Sequence, residues 1–552
     1  MKNNKNQNTK ANRAAREASP PQKRRNWKLP VLPVFFVLTW IWAAWYYGSV
    51  FHISREYSLW VADTRIMEFI LCQPYGILRY IGRAMLQLYK YPWFGGLLMA
   101  LMLTAVSWLT GYCMRIKNYE LRIKNYLCAL CFLPALIYIA GVTYHGLDIF
   151  FEARTGLIFG IPFVVLVVLG IWAVIISSFK LNSKFKIQNS NKQTDKGQQE
   201  LTHGKDFQLS TFNFQLLFIV LFFAAIIGFD QWKRPYVRVI CQLLDMEYRQ
   251  DWAGIQKLAR ANANMSNRPM ACTYAISLVQ TGQVAERLFD IRMDYDSLHV
   301  HGMDWKHNNA SVLYVPEGNY YGGFLESSQH ACMEQMVMTG PTVRLLKLLT
   351  KCALMREEWE LAEKYLAVLR HVPFEGAFCK KYGAMVRRND LVNADREMAL
   401  VRLTEPIHDS FENQYQQPLF MGYNLLLIEG RSREALINSL VVCLYTKLMP
   451  QFVERLEPLI GTTPPSIIMD GIMLAENKNP GISKHFTGFN FRQPQLQSFL
   501  ENTRPYMKDR PKYAYELFPR YKGYYPYYYF FGNLKATKKG YTSLSSSNSG
   551  VN

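Results

Sequence analysis

Charge is missing from long stretches of this sequence. Asp, Glu, Lys and Arg make up 19% of its 552 residues and are absent from 31–51, 94–114, 126–142, 157–179 and 214–229. Uncharged apolar runs of this kind approach the roughly 20 residues that cross a bilayer's hydrocarbon core, which excludes ordinary surface helices of a soluble protein. Acidic residues are scarce in the same half: residues 1–229 hold 10 Asp and Glu against 25 Lys and Arg, whereas residues 230–552 hold 32 against 38. The net charge of +21 therefore forms no single basic patch, and no nucleic-acid partner is expected. Cysteine spacing shows no disulfide framework. Cys128-Ala-Leu-Cys131 has the spacing of a redox pair but falls within an apolar run, where thiols behave as small apolar groups. The six cysteines at 241, 272, 332, 352, 379 and 443 are expected to be buried free thiols. No catalytic motif stands out from the composition, and no cofactor is expected.

The uncharged runs imply five membrane spans, and the loops between them orient the chain. Lys and Arg number 9 in the basic tail 1–28, 4 in the second connection (Arg115, Lys117, Arg122 and Lys124) and 6 in the fourth. The alternate loops, 52–93 and 143–156, carry 5 and 1. Positive charge stays on the cytoplasmic side, so the N-terminus is expected inside, and five spans place everything after residue 232 outside. The first run is about 21 residues long and rich in Trp and Phe, which suits an uncleaved span better than a signal peptide. The domain reading is thus a disordered cytoplasmic tail (1–28), a transmembrane domain (29–232), a soluble module (233–533) and a disordered tail (534–552).

The outer loop 52–93 is itself patterned. Ile77, Ile81, Met85 and Leu88 recur at helical spacing while Arg79, Arg83, Gln87 and Lys90 take the other side, as in a helix lying at the headgroup layer or packed on the bundle's rim. The segment Gln73 to Met102 begins with Pro74-Tyr75-Gly76 and leads into the second span through Tyr91-Pro92-Trp93-Phe94-Gly95-Gly96. It resembles an uncharacterised family of Gram-negative inner-membrane proteins that contain a domain of unknown function, and the likeness extends over most of the chain. The resemblance implies an envelope location and supplies no catalytic residue.

Beyond residue 232 the periodicity is that of amphipathic helices. Trp252, Ile255 and Ala259 fall at i, i+3 and i+7, and Trp359, Ala362 and Leu366 repeat the spacing. Leu278 precedes Gly282 by four residues, and Leu426 precedes Gly430 likewise, each Gly suiting a helix C-cap. The fold class is therefore all-α: a five-helix transmembrane bundle followed by a tetratricopeptide-like solenoid of helix pairs. Two segments break the rhythm. One runs from Arg292 to Phe324 and is rich in Gly, Asn, Asp and His, with 314–324 suited to partner contact. The other is the aromatic run 524–531, expected to be docked rather than exposed.

Three groups of residues carry chemistry. Asp304, His299, His301 and His307, with Asp294 and Asp296, have donors suited to zinc-like metals, yet no Cys pair or His-Glu-x-x-His fixes a geometry, and a solvated loop has the same composition. Glu326, His330 and Glu334 lie at i, i+4 and i+8 on one helix face, fit either for acid–base work or for a partner-binding groove. Glu56 and Asp63, with Glu68, follow the first span on the outer side, where membrane transferases that use lipid-linked sugars place acidic residues. The expected function is a membrane-anchored scaffold that presents its helical module to the periplasm, with lipids and envelope proteins as partners. The alternative is a glycosyl- or phospho-group transferase acting at the first outer loop. A reporter active only outside the cytoplasm, fused after Lys233, is expected to be active; activity of a cytoplasm-only reporter there would overturn the topology.

Overall fold

The computed structural model describes residues 31–121, 125–145, 155–188, 205–233, 235–265, 268–293, 313–405, 432–488, 492–532, 534–537 and 540–543. These residues are helical apart from turns and one two-stranded hairpin, Leu534–Thr537 with Gly540–Ser543, in which Leu534 faces Ser543 and Thr537 faces Gly540. The all-α expectation holds, with this hairpin as the exception. It stands in the segment 534–552 that the composition assigned to disorder.

Among the described residues, three helices are long and apolar enough to cross a membrane: Pro92–Met114, Gly156–Ile175 and Gln215–Lys233. A fourth candidate is a bent pair, Val31–Tyr46 followed by Gly48–Glu56 at 58°. The expected third span, 126–142, falls short of that length. Its chain forms a 3-10 stretch, Asn125–Phe132, then a helix Leu133–His145 that begins beside Pro134, and the apolar helical part is Ala129–Tyr144. Proline lacks the N–H that an α-helix would use there, so it sits in the first turn rather than within a long helix.

The bend in the first helix follows a five-residue π-helical stretch, Trp42–Tyr46, which shifts the backbone pairing before Gly48 restarts the α-helix. The second half therefore leaves the axis of the first, and its residues 52–56 are buried.

The amphipathic outer loop forms two helices, Thr64–Leu71 and Gly76–Leu86. The second lies against the span that starts at Gly156, and the contact is made by glycines. A Cβ on Gly82 would fall 1.7 Å from the Gly156 carbonyl oxygen, and one on Gly160 would fall 2.4 Å from the Leu78 carbonyl oxygen. Small residues four apart let two backbones approach this closely. The helix tip stays open: Ile77 is 72% and Tyr75 73% exposed, so the sequence-derived apolar stripe is only partly a packing face.

Packing does not stop at residue 233. One apolar cluster runs from Phe35 and Phe51 through Val237 and Cys241 to Leu349, Leu366 and Val401. A second holds Ile255, Ala259, Tyr274 and Leu444 together with Tyr525, Tyr528 and Phe531. The aromatic run is thus docked, as its composition required: it forms the helix Tyr525–Phe531, with the Tyr525 and Tyr528 hydroxyls donating to the carbonyls of Leu444 and Tyr445, each at 2.9 Å. Ala362 and Leu366 are buried as their spacing implied, and Gly282 has φ 69° as a helix-ending glycine needs. The segment 314–324 departs from expectation. It is a helix, Val315–Tyr321, buried along its whole length, and not an exposed contact loop. The described cysteines are free, those at 241, 272, 332, 352, 379 and 443 buried among them.

Replacing Gly82 with Leu drives a branched side chain into the Gly156 backbone. It is expected to lower stability by about 1–3 kcal/mol, the usual cost of overpacking, seen as a lower melting temperature of the detergent-solubilised chain. An unchanged melting temperature would show that the close glycine contact does not hold the helix in place.

Candidate functional site

Two helices far apart in sequence meet at their polar faces. The Gly48–Glu56 helix brings His52, Arg55 and Glu56 to one side, at i, i+3 and i+4. The Val343–Met355 helix, Val-Arg-Leu-Leu-Lys-Leu-Leu-Thr-Lys at its start, sets Arg344, Lys347 and Lys351 on one ridge and turns its leucines to the core. Its first turn is fixed by Thr342, whose hydroxyl accepts from the Leu345 N–H at 3.2 Å. The Val343 N–H donates to the Ser58 carbonyl at 3.1 Å, a direct backbone bond between the N-terminal helices and the module.

At the centre, two carboxylates are shared by three cations. Lys347 Nζ lies 3.0 Å from Glu56 and 2.9 Å from Glu375. Lys90 Nζ lies 3.0 Å from Glu375 and 3.5 Å from Glu56. The Arg55 guanidinium bonds both carboxylates and the Pro373 carbonyl, the last at 2.8 Å. Around this core, His52 pairs with Asp245 at 2.6 Å, and Asp245 in turn with Arg249 at 2.6 Å. Arg344 binds Glu317 through two nitrogens and Gln335 at 3.1 Å, and Lys351 binds Glu397 at 2.8 Å.

The pairs decide the ionisation of each group. Burial pushes the Lys347 ammonium down, opposed by Glu56 and Glu375. Burial would raise Glu375, but Lys347 foremost, with Arg55 and Lys90, holds it below the usual carboxylate range. Asp245 is likewise kept low against its burial by His52 and Arg249. Glu247 behaves in the opposite way. Burial, reinforced by the nearby Glu317 charge, pushes its carboxyl up to about 8, so it keeps its proton at neutral pH.

These groups line a cavity of about 630 Å³. One wall comes from the N-terminal helices, through His52, Glu56 and 90–93. The other comes from the module, through 247–250, Glu317, Tyr321, the Arg344–Lys347–Lys351 ridge, Phe374, Glu375, Ala377, Phe378 and Tyr382. At the rim, Tyr91 meets Phe374 edge to face at 5.8 Å, and Trp93, at the start of the Pro92–Met114 span, is exposed. Aromatic rings of this kind suit the membrane–water interface.

Of the described acidic and histidine residues the sequence singled out as candidate chemistry, Glu56 lines this cavity. Asp63 does not: its carboxylate caps the Thr64–Leu71 helix, accepting from the N–H groups of Arg65 at 2.9 Å and Ile66 at 3.4 Å. Glu326, His330 and Glu334 do share a face of the Leu325–Thr339 helix, but that face is turned outward, with Glu326 paired to Arg356 at 3.2 Å. His299, His301, His307 and Asp304 lie outside the described residues. Among the described residues, no group of three or more His, Cys, Asp or Glu side chains could hold a metal ion. Sequence reading missed the Arg344–Lys347–Lys351 ridge, although three cations spaced 3 and 4 apart among leucines is a readable signal. It also missed Glu247, Glu317 and Glu375, which no local pattern marks.

The sequence model described as a family of unknown function (DUF6057) matches residues 24–170 and 147–532. No curated protein and no solved structure matches the chain.

The Glu247 proton gives a pH dependence of defined sign. Between the ordinary value of 4.5 and about 8, the unfolded chain releases a proton that the folded chain keeps, so this group's contribution to stability falls as pH rises through that window. Glu247→Gln is therefore expected to melt close to wild type near the bottom of the window and several degrees higher at its top. Parallel melting curves across that range would show that Glu247 is ionised in the fold.

Proposed function

Since the chain belongs to the DUF6057 family, whose function is unknown, we propose from the cavity alone that it binds the polar head of a lipid-linked substrate of the kind used in glycosyl- or phospho-group transfer. The observation that carries this reading is the mixed wall: a membrane-proximal helix end and a soluble helical module each supply half of one charged cavity whose aromatic rim borders a candidate span. A ligand whose tail stays in the bilayer and whose head needs a dry, polar pocket fits that arrangement.

The wider setting of this proposal is a bacterial inner-membrane protein with its N-terminus in the cytoplasm and its module, built of tetratricopeptide-like helix pairs, in the periplasm. Three long apolar helices and the bent pair support up to four crossings, and a fifth, over 126–142, rests on the loop charges. A second reading, the protein-binding scaffold, is favoured by the outward face of the Leu325–Thr339 helix. There Met333, Val337 and Met338 are exposed, Val337 at 86%, beside Glu334 and His330.

The test is lipid retention. Full-length protein purified from its own membranes and extracted with organic solvent is expected to yield one amphipathic lipid species by mass spectrometry. Lys90→Gln, at a partly exposed rim position, should reduce it roughly tenfold, the equivalent of losing one charge-assisted hydrogen bond. Identical lipid profiles from the two proteins would overturn the proposal and leave the scaffold reading.

A further inference from the structure

We propose that the head group this cavity accepts is an uncharged saccharide; the inference rests on the reading that the cavity holds the head of a membrane-presented ligand. Three ligand chemistries could occupy a pocket at a membrane boundary, and the lining discriminates among them.

An acyl chain would need walls free of charge. Here a lipid tail would lie against Glu56, Lys347 and Glu375 and offer them no hydrogen bond in place of water. A phosphate would need cations with no partner. Each cation lining the cavity already contacts a carboxylate: Lys90 and Lys347 share Glu56 and Glu375 with Arg55, Arg249 has Asp245, Arg344 has Glu317 and Lys351 has Glu397. An anion would have to compete with these carboxylates and lie beside their charge, which is unfavourable.

A sugar meets neither obstacle. Every hydroxyl both donates and accepts, so it can bridge an ammonium and a carboxylate without disturbing the balance of charge. Glu247 adds a proton-bearing carboxyl to the ionised ones in the same wall, which widens the choice of donors. The remaining surface is aromatic: Tyr248, Tyr321, Phe378 and Tyr382 line the cavity, with the exposed Phe374 and Trp93 at its rim. The electron-rich faces of such rings attract the polarised C–H groups of a pyranose. A volume of about 630 Å³ lies within the roughly 300–1,000 Å³ usual for small-ligand pockets, which leaves room for a short oligosaccharide.

The experiment uses the full chain in lipid nanodiscs prepared without any sugar-headed detergent. Calorimetric titrations are run with neutral di- and trisaccharides of glucose, galactose, mannose and N-acetylglucosamine, and separately with hexose 1-phosphates and inorganic phosphate. At least one neutral saccharide is expected to bind one per chain, with an affinity independent of salt. The affinity should fall roughly tenfold, the equivalent of one lost ring contact, in Phe378→Ala and, should that variant melt early, in the half-exposed Phe374→Ala. Preferential binding of the phosphates, weakening as salt rises, would overturn the saccharide assignment while leaving the lipid-head reading in place. Binding by none of the probes would overturn it too; if the purified protein also retains no lipid, both readings fall.

Discussion

Two carboxylates buried among three cations set the terms for the rest of this molecule. Glu56 and Glu375 are 1% and 2% exposed, and taking either from water unpaired would cost several kcal/mol. Each is bonded from both halves of the chain. Glu56 pairs with Arg55 beside it and with Lys347 from across the joint; Glu375 pairs with Lys347 on its own side and with Arg55 and Lys90 from across it. The full network forms only when the two halves are docked in one register. The apolar cluster from Phe35 to Val401 supplies the attraction, and the ion pairs select the geometry.

This arrangement also explains why a cavity survives at the joint. Apolar surfaces would close on each other until no void remained. Ion pairs that bridge the walls, Lys347 with Glu56 and Arg55 and Lys90 with Glu375, hold those walls apart, and Tyr248, Tyr321 and Tyr382 line the space between. The polar lining is thus both the candidate chemistry and the spacer that keeps room for a ligand.

Much of the fold was legible from local patterns. Ile255, Ala259, Ala362 and Leu366 lie on the faces their spacing assigned, Gly282 ends its helix with positive φ, and the aromatic run is docked. The site was legible in one residue. Glu56 could be found because it is an acid at the outer end of an apolar run. Asp63 carries the same signal, yet its side chain is used by the backbone of the next helix, a local competition that composition alone does not resolve. Glu247, Glu317 and Glu375 stayed hidden because their meaning lies in pairing across hundreds of residues. The segment 314–324 misled because its Gly, Tyr and Asn content resembles a loop while its short helix is wedged between larger ones.

The backbone bond from Val343 to Ser58 and the Lys347–Glu56 pair have a consequence for how the protein is made. Glu56 and Lys347 are 291 residues apart, and Arg55 and Glu375 are 320 apart. The first helix is made while its partners are still unsynthesised, so Arg55 and Glu56 begin life hydrated. Contacts of such long range pay their loop-closure entropy late. The cavity is thus the last feature to mature, and a chain halted before residue 375 would be largely helical yet still without this joint.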